Sequence, residues 1–422
     1  MSPSTITLLF LAFAIVSFIF EKIPLGLTAT IVALGLNLTG VLDAKTTFAG
    51  YVNSNVILCV GMFVVGQALF ETGMANKIGG LVTKFAKSER ILIAAIMAIV
   101  GIMSGFLSNT GTAAVLIPVV CGIADESGYS RSRLLMPLVF AAALGGNLSI
   151  IGAPGNLMGV NALQELGLST SFFMYAPVGI PMLIVGIIYF VFIGCKLLPN
   201  TNVGNDIVVE GEKKDFSDVP KWKQIVSLVV LVLVIFAMIF EKQIGISIHV
   251  SACIGACVLV LTGVISEKAA LKSIDLKVVL LFGGSLALAT ALDSTGAGTL
   301  IADKIVGLLG SNPNPVILLL VIFVVTCVLT NFMSNTATTA LMVPIAVSLA
   351  NSLGADPRAV VIATVIAGSC AYATPIGMPA NTMVVGLGGY SFKDYVKAGV
   401  PLILVSFVLC MILLPILFPF YP

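Results

Sequence analysis

The sequence predicts an all-α integral membrane protein, and three observations carry that prediction. Hydrophobic residues fill 59% of the 422 positions and charged residues only 9%, with a mean hydropathy of +1.14, so lipid is the solvent for most of the chain. The apolar runs are about 20 residues long, not alternating segments of about ten, which selects helices over a barrel. In hydrocarbon every backbone N–H and C=O needs an internal partner, and a helix supplies one within its own segment.

Taken in order, the runs at 5–20, 24–42, 55–71, 172–196, 224–240, 246–266, 277–292 and 398–420 read as simple spans. The first lacks a basic leader and a small-residue cleavage site, so it reads as a spanning helix and not a removed signal peptide. Two pairs of runs are different. Residues 91–107 and 111–124 flank Ser108-Asn109-Thr110, and 315–332 and 337–350 flank Ser334-Asn335-Thr336. A polar tripeptide at that depth predicts a re-entrant hairpin with the tripeptide at its tip. Helices starting near 133 and 358 run into Gly152-Ala153-Pro154-Gly155-Asn156 and Thr374-Pro375-Ile376-Gly377, which cannot continue a regular helix. Non-helical backbone at membrane depth persists only where protein buries it or a watery cavity adjoins it, so these breaks predict a central polar site.

The chain also repeats itself. Leu38-Thr39-Gly40-Val41 recurs as Leu261-Thr262-Gly263-Val264, and Ala68-Leu69 with Thr72-Gly73 recurs as Ala291-Leu292 with Thr295-Gly296, both at an offset of 223. The tripeptides are offset by 226, and Phe20-Glu21-Lys22 returns as Phe240-Glu241-Lys242 at 220. The expectation is two homologous repeats, 1–199 and 222–422, joined by a cytoplasmic linker 200–221. Each holds five crossings, one hairpin and one broken helix, giving ten crossings in all. An odd number of crossings per repeat inverts the second, and the basic residues agree. With both termini outside, 17 of the 21 Lys and Arg residues fall on the cytoplasmic side, among them Lys84, Lys87, Arg133, Lys213 and Lys214, leaving Lys45, Lys242, Lys304 and Arg358 outside.

Composition excludes several functions. A net charge of +2 without a basic face argues against nucleic acid. All 19 acidic residues lie in loops or at span ends, and the one histidine, His249, sits near the start of a span. That leaves no titratable relay at depth for protons and no His-Glu-x-x-His motif or buried carboxylate pair for a hydrolase. The eight cysteines read as small core residues; Cys253 and Cys257 are one turn apart without companions for a metal site.

What remains at depth is neutral and oxygen-rich: Ser104, Ser108, Asn109, Thr110 and Thr112 in one half, Thr330, Asn331, Ser334, Asn335, Thr336, Thr338 and Thr339 in the other. Hydroxyl, amide and unwound carbonyl oxygens suit a small dehydrated cation such as Na⁺, while helices beginning after the breaks present N-terminal N–H groups to an anion. Such residues also hydrogen-bond neighbouring helices without further purpose. Their recurrence at matched places in two halves favours the site. Gly101-x-x-x-Gly105 reads as close packing within the first hairpin, and Trp222 beside Lys221 and Lys223 as an interfacial anchor.

These motifs resemble the divalent anion/sodium symporters, a family that carries succinate, malate, fumarate, citrate or sulfate. The resemblance spans nearly the whole chain and rests on the two Ser-Asn-Thr tips, on Gly152-Ala153-Pro154-Gly155-Asn156 and on Ala373-Thr374-Pro375-Ile376-Gly377. It implies one sodium at Ser104, Ser108, Asn109 and Gly152, and a second at Thr330, Met333, Asn335 and Ala373. Substrate carboxylates would meet Asn109, Thr110, Asn335, Thr336, Thr374 and Pro375. Members often carry Thr or Ser before Pro-Pro where this chain has Ala153-Pro154-Gly155, so one hydroxyl is missing, and because the first segment already pairs with 224–240 of the second half, ten crossings are expected without the additional N-terminal helix usual in the family. The resemblance further implies sodium-coupled uptake of a C4-dicarboxylate by an elevator motion, in a homodimer in a bacterial inner membrane. A sodium-independent exchanger, or a carrier of citrate, sulfate or another inorganic anion, remains open on the same residues. No enzymatic activity is implied.

Overall fold

The computed structural model describes residues 1–85, 88–200, 216, 218–309 and 314–421, and every regular element among them is a helix. Lys87, Lys213, Lys214 and most of the linker 200–221 lie outside the described residues, as does the Lys84 side chain. The first half of the chain contains α1 (Pro3–Phe20), α2 (Leu25–Leu38), α3 (Ser54–Glu71), α4 (Glu89–Ser104), α5 (Asn109–Ser127), α6 (Arg131–Gly145) and α7 (Pro154–Glu165), then α8 (Ala176–Leu197). The second contains α9 (Lys221–Ile239), α10 (Ile248–Leu261), α11 (Leu276–Ser294), α12 (Pro315–Thr330), α13 (Asn335–Ser352), α14 (Arg358–Gly368), α15 (Pro379–Gly388) and α16 (Phe392–Leu417). Shorter helices link them. Each helix of the first half matches the one numbered eight higher.

Local chemistry sets the helix ends. Ser2 caps α1 with Pro3 at its first position. Ser108 accepts from Gly111 N–H and Ser334 from Ala337 N–H, starting α5 and α13 at the tripeptides. Pro154 and Pro379 open α7 and α15 from extended residues Ala153 and Met378, whose side chains make no cap. Ser391 and Asp394 close a capping box at α16.

Burial follows position. The middle of α6 and nearly all of α14 are enclosed on every side, the pattern of a helix at the centre of a bundle. Around them α1, α9 and α16 turn Leu9, Phe13 and Val16, then Ile225, Val229 and Phe236, then Leu404, Val408 and Ile412 outward. These stripes at three- and four-residue spacing form a lipid-facing surface.

The halves interlock by crossed pairing. Helix α2 packs on α11 while α10 packs on α3, and α13 lies on α7 while α5 lies on α15. The close approach is repeated at equivalent residues: a Cβ on Gly61 would stand 2.8 Å from the Ala252 Cβ, and one on Gly284 would stand 2.4 Å from the Ala29 carbonyl. Phe140 of α6 meets Tyr372 at 5.1 Å between ring centroids, joining the two centres.

Polar contacts sort the loop ends into two faces. On one, Thr72 bonds Ser227 at 3.0 Å, Ser132 donates to Pro199 O at 2.7 Å, Tyr390 donates to Ser132 O at 2.6 Å, and Arg133 pairs with Glu89 at 2.9 Å. On the other, Ser4 donates to Thr295 O at 2.6 Å, Asn53 to Asn161 at 2.7 Å, and Asp356 N–H to Phe420 O at 2.7 Å. The Arg133–Glu89 pair ties the start of α4 to the start of α6, which follows the end of α5 within a few residues, so the pair α4 and α5 enters and leaves on one face. The equivalent ends of α12 and α13 belong to the other face, where Tyr421 donates to Leu353 O.

Length alone does not recover ten crossings. Seven helices among the described residues are long and apolar enough to span, with Ala44–Glu71 taken as one. One of them is the hairpin arm α5, at 19 residues. Helices α2 and α10 have 14 residues each, about 21 Å against a hydrocarbon core of about 30 Å. Helices α6 and α14 stop after 15 and 11 residues, and α7 and α15 resume beyond the breaks. A crossing built from two pieces has no single long helix.

Candidate functional site

The two tripeptide tips each bring an asparagine amide against the other arm of the hairpin and the adjacent break. Ser104 Oγ, at the end of α4, lies 2.6 Å from the Asn109 amide and donates to the Ala142 carbonyl of α6 at 2.7 Å. Thr330 Oγ1, at the end of α12, lies 2.8 Å from the Asn335 amide and donates to the Gly368 carbonyl of α14. The break supplies a further oxygen in each half. Gly152 O lies 3.0 Å from the Asn109 amide and Gly377 O lies 3.0 Å from that of Asn335. Each cluster therefore gathers a side-chain amide, a hydroxyl and two backbone carbonyls, all neutral and all oxygen donors. That set matches what Na⁺ requires, with no protein charge to neutralise.

The breaks are held open by a second matched pair. Asn156 Nδ2 donates to Gly146 O and Ser149 O, both at 2.7 Å. Asn381 Nδ2 donates to Ala371 O at 2.7 Å and Thr374 O at 3.0 Å. Both asparagines are fully buried, so these carbonyls have no water as an alternative partner. Tyr175 and Tyr395 then donate to the carbonyls of Asn156 and Asn381, each at 2.7 Å. The same wiring appears twice, from residues about 225 apart.

This wiring matches the two breaks residue for residue. The counterpart of Gly152-Ala153-Pro154-Gly155-Asn156 is Gly377-Met378-Pro379-Ala380-Asn381, because Pro154 and Pro379 occupy the first positions of α7 and α15. Thr374 and Pro375 lie earlier, in the extended stretch. Thr374 is buried, donates to Asn331 O and accepts from Gly377 N–H at 3.1 Å, while the Pro375 carbonyl accepts from Thr382 at 2.8 Å. The Ala373 N–H is held by Asn331 Oδ1 at 2.8 Å. The Met333 side chain packs with α1, α2 and α11. The structure thus brings together Ser104, Asn109 and Gly152 in one cluster and Thr330 with Asn335 in the other. It adds Ala142, Gly368 and Gly377, which take part only through carbonyls and carry no side-chain signal. Ser108 and Ser334 cap their helices, and Thr110 and Thr336 stand half-buried on the first turns beside the amides.

The profile of the citrate transporter family matches residues 15–367 and 235–421. The chain belongs to that family. It is 25% identical to the uncharacterized transporter YfbS of Escherichia coli, over 97% of this chain and 98% of the relative. It is 24% identical to the sodium-dependent dicarboxylate transporter SdcS of Staphylococcus saprophyticus, over 94% of this chain and 83% of the relative. The solved YdaH transporter of Alcanivorax borkumensis covers 99% of the chain with a TM-score of 0.66 at 15% identity, and the chain covers 98% of it, a likeness of fold. Members are multi-pass membrane transporters and not enzymes.

In this transporter the cavities beside the two hairpins differ in size. One of about 380 Å³ lies between α7, α11 and α13 on the face that carries Asn53 and Asn161, with Glu165 and Asp293 among its lining. On the α3 side, Cys59 and Met62 close over Ser108, Gly152 and Pro154, leaving only about 30 Å³.

Proposed function

We propose that this protein is a secondary active transporter that couples an inward sodium gradient to uptake of a C4-dicarboxylate such as succinate, malate or fumarate. The observation that carries the reading is the twin cluster: Ser104, Asn109 and the carbonyls of Ala142 and Gly152 in one half, Thr330, Asn335 and the carbonyls of Gly368 and Gly377 in the other. Each would take one Na⁺, giving two. The dianion binds between the tips, where Asn109, Thr110, Asn335 and Thr336 and the open N-termini of α7 and α15 supply donors. A dianion and two cations make a neutral load, which suits passage through a low-dielectric protein interior. The printed name of SdcS supports both sodium and dicarboxylate.

The repeats 1–199 and 222–422 are inverted, with the face of Arg133 and Lys77 cytoplasmic and both termini outside, in a bacterial inner membrane. The protein works as a homodimer whose hairpins and broken helices move as one body against α1–α3 and α9–α11. The deciding measurement is uptake of radiolabelled succinate into proteoliposomes. Accumulation under an inward sodium gradient that disappears when potassium replaces sodium is the expected result. Uptake that ignores sodium and needs dicarboxylate inside would make the protein an exchanger. Asn109→Ala and Asn335→Ala are each expected to abolish uptake while the protein remains folded in the membrane, and wild-type uptake in both would dismiss the site.

A further inference from the structure

We infer that Asn53, Asn55, Asn161 and Gln164 form a one-sided latch that ties the moving body of the carrier to its fixed helices and holds it in the state of this structure. The inference rests on the transport reading above, in which the hairpins and broken helices move against α1–α3 and α9–α11.

The latch sits on the face that carries both termini. Asn53 Nδ2 donates to Asn161 Oδ1 at 2.7 Å, and Asn55 Nδ2 reaches the same oxygen at 3.3 Å and Gln164 Oε1 at 3.1 Å. Asn53 caps α3 and Asn55 stands on its first turn, in the fixed part, while Asn161 and Gln164 lie on α7, in the moving part. Each of three amides is oriented from its far side. Asn53 Oδ1 accepts from Asn55 N–H at 2.8 Å, Asn161 Nδ2 donates to Glu165 at 2.8 Å, and Gln164 Nε2 donates to Thr170 at 3.1 Å. Asn55 and Asn161 are buried, so water does not compete for these bonds until the helices part. Other polar contacts of the same face, Ser4 with Thr295 and Arg358 with Asp356, stay within one body.

The second half has no residues to build the equivalent. In a carrier of inverted repeats the opposite state is reached when each half takes up the arrangement now held by the other. Here α7 meets α3, while α15 packs on α5 and α6. In the opposite state α15 would meet the start of α11, where Asp275 caps the helix through Lys277 N–H as Asn53 caps α3 through Asn55 N–H. The offset of 225 that relates Asn156 to Asn381 puts Gly386 and Gly389 where Asn161 and Gln164 stand, and glycine has no side chain to accept a hydrogen bond. The bonds that tie α7 to α3 are therefore lost in one direction and not replaced in the other, which sets the equilibrium toward the state seen here.

The latch is tested on the full-length protein, free of native thiols, in proteoliposomes. Spin labels on Lys45→Cys, exposed near α3, and Ser169→Cys, exposed beyond α7, report the distance between the two bodies by pulsed electron resonance. With the latch intact one distance is expected to dominate. Asn53→Asp keeps the oxygen that caps α3 but has no NH₂ for Asn161, and Asn161→Ala removes the shared acceptor. Each is expected to raise a second distance relative to the first by about tenfold, the worth of one or two neutral hydrogen bonds. Thermal melting checks that the variants are folded, and either serves if the other is not. In a second arm, Asn53→Cys and Asn161→Cys bridged by a short bifunctional methanethiosulfonate are expected to stop succinate uptake until reductant releases them. Two distances whose ratio neither variant changes overturn the latch and leave the moving-body reading standing. Full uptake by the bridged protein overturns the latch by showing that α3 and α7 need not part. One unchanging distance in parent and variants, with or without sodium and succinate, takes the moving-body reading down together with the latch. The distances need no substrate, so a parent that takes up no succinate overturns the symport reading while the spin labels still decide on the latch.

Discussion

Four neutral side chains, Ser104, Asn109, Thr330 and Asn335, form the proposed clusters, and the residues around them fix where those groups sit. Gly146 shows how little room there is: a Cβ there would stand 2.7 Å from Asn109 Oδ1. Gly146→Ala is therefore expected to displace the amide while leaving the fold intact, because the amide is the end of a side chain and can move. Sodium affinity should fall by about tenfold or more, since binding geometry tolerates errors of only about 0.5 Å. Gly122→Ala, where a Cβ meets nothing within 4 Å, serves as the control, and equal losses in both would refute the steric argument. Asn156 has the opposite character, structural and not ligand-facing. Asn156→Leu strips two buried carbonyls of their partner at a cost of about 2–4 kcal/mol, and the expected outcome is a lowered melting temperature with or without sodium.

At the scale of elements, the hairpin helices and the post-break helices begin differently. Helices α5 and α13 are capped by Ser108 and Ser334, whereas α7 and α15 open on proline with no side-chain cap. The capped starts hold the tips, and the uncapped starts leave N–H groups and a positive dipole end toward an anion. Ser334→Ala should lower stability by about 1 kcal/mol as a lost cap does, read as a drop in the unfolding temperature. Because Thr330, Asn335 and the carbonyls of Gly368 and Gly377 form the cluster without it, sodium affinity should change by less than about threefold. A large loss of sodium binding would add Ser334 to the ligand set. The hairpins and the first break were legible because a polar tripeptide and a Gly-Ala-Pro-Gly run interrupt apolar sequence. The second break was legible at Thr374-Pro375-Ile376-Gly377, which lies in the non-helical stretch between α14 and α15, but only the structure places Pro379, and not Pro375, at the first turn of α15.

At the scale of the whole molecule, the crossed pairs α2 with α11 and α10 with α3 make each half incomplete without the other. Gly284→Leu would drive a side chain into the Ala29 backbone, which cannot give way as a side-chain tip can. Its expected effect is loss of folded protein from the membrane, in contrast to the binding defect of Gly146→Ala. The two-face sorting of polar contacts also yields a topology test. Single cysteines replacing Arg133 and Arg358 in a background without the native thiols should label from opposite sides of the membrane, Arg133→Cys from the cytoplasm. Labelling of both from one side would overturn the inverted arrangement.

Composition and run length by themselves determined the solvent and the helical class, because lipid leaves the backbone few other ways to satisfy its hydrogen bonds. Internal matches pointed to two related halves, and the tripeptides Ser108-Asn109-Thr110 and Ser334-Asn335-Thr336 marked the starts of the hairpin helices α5 and α13 around which the proposed site is built. Only the tertiary structure decided which oxygens converge. The carbonyls of Ala142, Gly152, Gly368 and Gly377 reach the asparagine amides because broken helices deliver them there, and a carbonyl is the same chemical group at every position of the chain. Its place in a cluster comes from fold geometry, which side-chain patterns do not encode locally.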